Sequence, residues 1–89
     1  MKGLLGRKAL SENEVLLISP CNSVHTFGMR FPICVVFLGS QKQILKIVPC
    51  LRPWRFCFCP RASCVLELTV GLVNNKEQAA LLLERIFSG

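Results

Sequence analysis

Eighty-nine residues, 52% hydrophobic and 18% charged, describe a globular chain and exclude a disordered one. Folding at this length buries only about 60–65% of the unfolded surface, so one domain, residues 1–89, with a narrow stability margin is expected. The net charge of +6 is concentrated: no acidic residue lies between Glu14 and Glu67, and Arg30, Lys42, Lys46, Arg52, Arg55 and Arg61 all fall in that interval.

Residues 1–14 carry a short apolar pattern, Leu4, Leu5 and Leu10, followed by the polar Ser11–Glu14. Val15–Ile18 reads as a short buried strand stopped by Ser19-Pro20. After the turn-forming Cys21-Asn22-Ser23, the chain is extended from Val24, and Gly28 marks a bulge or a close backbone approach. Ile33–Leu38 and Ile44–Val48 form a hairpin across Gly39–Gln43. The first arm is apolar on both faces, as a central strand is. The second puts Lys46 between Ile44 and Val48 on one face, as an outer strand does. Pro49, Pro53 and Pro60 make 49–61 a loop with room for one short strand and no helix. Strand character returns over Cys64–Val70 and ends at Gly71. Asn75 is a favoured N-cap, and Ala79, Leu82, Leu83 and Ile86 form a helical stripe suited to packing on a sheet, or alternatively to a partner.

No apolar run nears the roughly 18–20 residues of a membrane helix, and the uninterrupted apolar stretch of about 7–15 residues of a secretory signal is absent. A cytoplasmic location, no membrane contact and reduced cysteines are the resulting expectations. All six cysteines lie between Cys21 and Cys64. Cys57-Phe58-Cys59 is tighter than the paired C-x₂₋₄-C ligands of structural zinc sites, so buried filler is the plainer role, and no metal or cofactor is assigned.

His25 is the only histidine, the residue type most used for acid–base chemistry, but no carboxylate or nucleophile sits near it in sequence. Glu67 is the acid the fold could bring to it. Arg52-Pro53-Trp54-Arg55 offers a stacking plane between two forked cations on a proline-stiffened loop, suited to nucleobases, carboxylates or phosphates. The competing reading makes Trp54 a lid over the sheet edge with the arginines in water. Phosphate loops, HExxH and nucleophile elbows are absent.

Several stretches resemble a known family. They are Gly3–Arg7 with Leu10, Pro20–Ile33 (PCNSVHTFGMRFPI), Val35–Leu38, Leu51–Phe56 (LRPWRF), and Val65–Leu68 with Gly71. Together they are similar to the family called domain of unknown function 192, over roughly residues 3–71. The resemblance implies a compact, mainly β fold and supplies no activity, cofactor or catalytic residue. Family members usually carry Asp where this chain has Cys34, a natural acidic partner for the Met29-Arg30 turn or His25. The helix from Asn75 also departs from the family's usual ending.

The combined reading is an α+β, mainly antiparallel β domain: a small sandwich or distorted barrel with a C-terminal helix at about 75–87. Its expected role is a non-catalytic binding or accessory domain with a basic surface. The expected ligand contacts are His25, Met29, Arg30, Arg52, Trp54, Arg55 and Glu67, and the partner is an anionic ligand, nucleic acid or an acidic protein surface. The alternatives are a hydrolase-like enzyme using His25 and Glu67, and a thiol- or metal-binding protein.

Overall fold

The structure, a computed structural model, describes residues 15–87. The N-terminal apolar pattern and Ser11–Glu14 lie outside the described residues. Six strands and one helix follow in the order β1 (Val15–Ile18), β2 (Ser23–His25), β3 (Ile33–Leu38), β4 (Ile44–Leu51), β5 (Phe56–Phe58), β6 (Cys64–Leu68) and α1 (Lys76–Phe87). They build a four-stranded antiparallel sheet, order β1-β6-β3-β4, and a two-stranded antiparallel sheet, β2-β5. The arrangement is therefore two sheets and a helix, and the described strands close no barrel.

The large sheet is the middle layer, and its central strands explain why. All six residues of β3 and all five of β6 are buried. Successive side chains of a strand point to opposite faces. Ile33, Val35, Phe37 and Val65 accordingly enter one core with Val24 of β2, Cys57 of β5, Met29 and Leu51. Cys34, Val36, Leu38, Cys64, Leu66 and Leu68 enter a second core with Val73 and Ala79. A strand covered on both faces must be apolar on both, which is how Ile33–Leu38 reads in sequence.

The helix closes the second core. Asn75 caps it: the Gln78 amide donates to Asn75 Oδ1 at 2.9 Å and the Ala79 amide to the Asn75 carbonyl at 3.1 Å. Ala79 is buried, and Leu82, Leu83 and Ile86 pack on the sheet, so the stripe serves core packing. Lys42, in the β3–β4 connection, places its ammonium 5.5 Å from the centre of the Phe87 ring and ties the helix end to that loop.

Four local expectations are corrected. Gly28 forms a tight turn rather than a bulge: its φ is 81°, and the Met29 amide donates to the Thr26 carbonyl at 3.1 Å. Ile44, Lys46 and Val48 do not share one face. A register shift between Phe37 and Leu38 places Lys46 opposite Phe37 and Ile44 opposite Leu38. Ile44 therefore packs in the helix-side core and Val48 in the other. Strand β4 also runs on through Pro49 to Leu51, which its edge position permits because a proline there forfeits no essential ladder bond. At the other end, β6 stops at Leu68 rather than reaching Val70.

Candidate functional site

The small sheet divides its side chains sharply. Val24 and Cys57 point inward, and their neighbours on each strand point outward. Ser23 lies opposite Phe58, and His25 opposite Phe56. Directly opposed residues share a face, so one outer surface carries His25, Phe56 and Phe58. Phe27 continues the β2 row, with its ring stacked on His25 at 4.9 Å, and Trp54 stacks on Phe27 at 6.2 Å. Phe56 and Phe58 stack at 6.3 Å. Two rows of rings thus adjoin at the His25–Phe56 pair. Four of these rings are open to solvent: Trp54 is 64% exposed, Phe56 59%, and Phe27 and Phe58 46% each.

The loop bearing Trp54 is held by Thr26, a fully buried residue. Its hydroxyl donates to the Arg52 carbonyl at 2.6 Å, with the Arg55 carbonyl also within reach at 3.3 Å, and accepts from the Arg55 amide at 2.9 Å. The Thr26 backbone adds two bonds, from its amide to the Arg55 carbonyl at 2.9 Å and to its carbonyl from the Trp54 amide at 3.0 Å. Bound on both sides, Trp54 takes a φ of 62°. A bulky residue pays about 1–2 kcal/mol for that left-handed conformation, and it persists because its surroundings fix it.

Three exposed arginines, Arg30, Arg52 and Arg55, lie in the segments that follow β2 and precede β5. Arg55 Nη1 donates to the Trp54 carbonyl at 3.5 Å, and Lys46 Nζ reaches from β4 to the Phe58 carbonyl at 3.4 Å. Among the described residues the acids are Glu67, which is buried, and Glu77 and Glu84, which belong to α1 beyond the opposite face of the large sheet.

The expected site residues separate into two groups. His25 and Trp54 belong to the ring rows of the outer face, Arg55 adjoins Trp54, and Arg30 and Arg52 are exposed in the segments that follow β2 and precede β5. Met29 is buried in the core between the sheets, where it anchors the turn that presents Arg30. Glu67 is also buried, opposite Leu16 and Val35 on the interior face of the large sheet. His25 and Glu67 thus belong to different sheets, one facing outward and one inward. The His25 Nδ1 atom and both Glu67 carboxylate oxygens are buried without a hydrogen-bond partner among the described residues. Burial pushes the Glu67 carboxyl up to about 7 from its ordinary 4.5.

Cys34, which stands where family members usually carry the acid, points away from the Met29-Arg30 turn. Its thiol donates to the Val73 carbonyl at 3.4 Å in the helix-side core, and burial pushes its pKa up to about 11. All six cysteines are free thiols. Cys57 is buried in the inter-sheet core, where Cys21 and Cys59 pack, and Cys50 is exposed. Among the described residues no three His, Cys, Asp or Glu side chains converge as a metal site.

Thr26, Phe27, Phe56 and Phe58 do not stand out by residue type. The signal for Phe56 and Phe58 is alternation, since two residues apart in one strand they share a face, whereas Phe27 sits in the turn after β2 and stacks on His25 from there. Thr26 leaves no sequence signal, because its partners lie 26 and 29 residues away.

No helix among the described residues is long and apolar enough to cross a membrane. Neither curated proteins nor solved structures provide a match to the chain. A family model does, that of DUF192, described as "Uncharacterized ACR", and it matches residues 1–79. Spanning most of the sequence, that match shows that the chain belongs to the DUF192 family, whose function is unknown.

Proposed function

We propose that this chain is a binding domain without chemistry of its own, and that it takes an anionic ligand on the outer face of β2-β5 and the Arg52–Arg55 loop. The observation carrying the reading is the Trp54 loop. A strained, solvent-open aromatic is locked by a buried threonine between two exposed arginines. Strain and exposed apolar surface both work against the fold, and a ligand that covers the rings offsets them. His25 and Arg30 complete the contact surface, while Met29 and Glu67 act from inside by setting the turn and the core. A hydrolase-like role for His25 with Glu67 gains no support, since no hydrogen bond joins them and they face different ways.

The test is titration with a heparin fragment, a polyanion without bases, at rising salt. Affinity should fall about 10- to 100-fold between about 50 and 200 mM salt, as expected when a few cations release counterions. Arg52→Gln with Arg55→Gln should reduce the logarithmic salt slope by about 2. Affinity indifferent to salt, or unchanged in the double variant, overturns the proposal.

A further inference from the structure

We infer, building on that anion-binding reading, that the outer face is a stacking platform for the unpaired bases of a single-stranded nucleic acid. Charge alone asks only for arginine and lysine. This surface adds flat rings, and their arrangement is specific. Phe56 and Phe58 stand two residues apart on one strand, His25 continues the same surface from the neighbouring strand, and Phe27, in the turn that follows, stacks on His25. Trp54 extends the second row. Successive bases of an extended strand can each lie on a ring, because every base has a π-face. The cations are placed for the backbone between them: Arg55 beside Trp54, Arg52 two residues before it, and Lys46 against the Phe58 carbonyl.

Other occupants suit the face less well. A duplex keeps its bases stacked inside and would leave the rings uncovered. A second copy of this chain would bring Arg52, Arg55 and Lys46 against their own kind, with no exposed acid among the described residues of this face to pair them. A free phosphate or sulfate would meet the arginines and leave the rings unused.

Trp54 is the only tryptophan, so its fluorescence reports on this face alone. The experiment titrates the full chain with oligothymidylate of about 15 nucleotides, with the same length of duplex, and with the heparin fragment, at one salt concentration. The expected result is quenching of Trp54 by oligothymidylate and tighter binding of it than of the other two. Phe58→Leu keeps an apolar side chain, protects folding, and removes the ring. It should weaken oligothymidylate about tenfold or more, a far larger loss than it causes for heparin, which has no bases to stack. Equal affinity for all three polyanions without quenching overturns the stacking inference and leaves the anion reading standing. A duplex preferred over the single strand also overturns it. Binding of none of the three defeats both.

Discussion

Thr26 decides more at the scale of single residues than any charged side chain on the face. One buried hydroxyl serves the Arg52 carbonyl and the Arg55 amide, so its loss leaves both groups short of a partner in a closed environment. Thr26→Val keeps the branched shape and should cost about 1–3 kcal/mol by urea denaturation. Thr26→Ser should restore most of it, and Trp54 fluorescence anisotropy should fall in the valine variant as the loop loosens. Trp54 is the opposite case. Trp54→Asn gives up a ring stack worth about 0.5–1.5 kcal/mol and relieves a left-handed backbone that asparagine tolerates. The two effects offset, and stability should change by less than about 1 kcal/mol while oligothymidylate binding weakens about tenfold or more. A drop of about 3 kcal/mol or more would make Trp54 a structural residue.

At the scale of elements, β3 and β6 hold the protein together because each contributes to both cores. Leu66 is fully buried at the middle of β6 and faces the helix side. Leu66→Ala should cost about 2–5 kcal/mol, a large share of the roughly 5–15 kcal/mol a domain commands, and thermal unfolding should show a strongly lowered midpoint. Leu81, on the outer side of α1 and 62% exposed, provides the control: Leu81→Ala should stay within about 0.5 kcal/mol of the parent. The small sheet plays a different part. With three residues per strand it contributes Val24 and Cys57 to the core and spends its other face on rings.

At the scale of the whole molecule, the charges of the described residues are unevenly placed. The helix carries Glu77 and Glu84 beside Lys76 and Arg85, whereas the exposed charges described between β2 and β6, Arg30, Lys42, Lys46, Arg52, Arg55 and Arg61, are all positive. The remaining acid among the described residues, Glu67, is sealed in the core and links global stability to pH. Its folded pKa of about 7 lies above the ordinary 4.5, so the folded state holds the proton more tightly than the unfolded chain. The stabilisation is complete below about pH 4.5 and is lost as pH rises to about 7. Over that window it amounts to about 3 kcal/mol. The parent should therefore unfold at higher urea at pH 5 than at pH 8. Glu67→Gln, which cannot ionise, should flatten that contrast and be the more stable of the two at pH 8. A contrast that survives in the glutamine variant would place its origin elsewhere.

The sequence by itself determined the strands flanking the hairpin, the capped helix and its packing stripe, and the family, because these depend on neighbours within a few residues or on local motifs. Ile33–Leu38 announced a strand covered on both faces, since only such a position rewards six consecutive apolar residues. Arg30, Arg52, Trp54 and Arg55 lie exposed in or next to turn-rich segments of the sequence, while His25 is half-buried in β2. The tertiary structure alone decided the rest. The shift that turns Ile44 to one core and Val48 to the other comes from pairing with β3, not from the periodicity of β4. Met29 and Glu67 went inward because the pleat of a paired strand and a glycine turn set side-chain direction, whatever the polarity of the residue. The aromatic rows exist only because β2 and β5, some thirty residues apart, pair with His25 opposite Phe56, and because Thr26 bonds across the same gap to hold the Trp54 loop beside them.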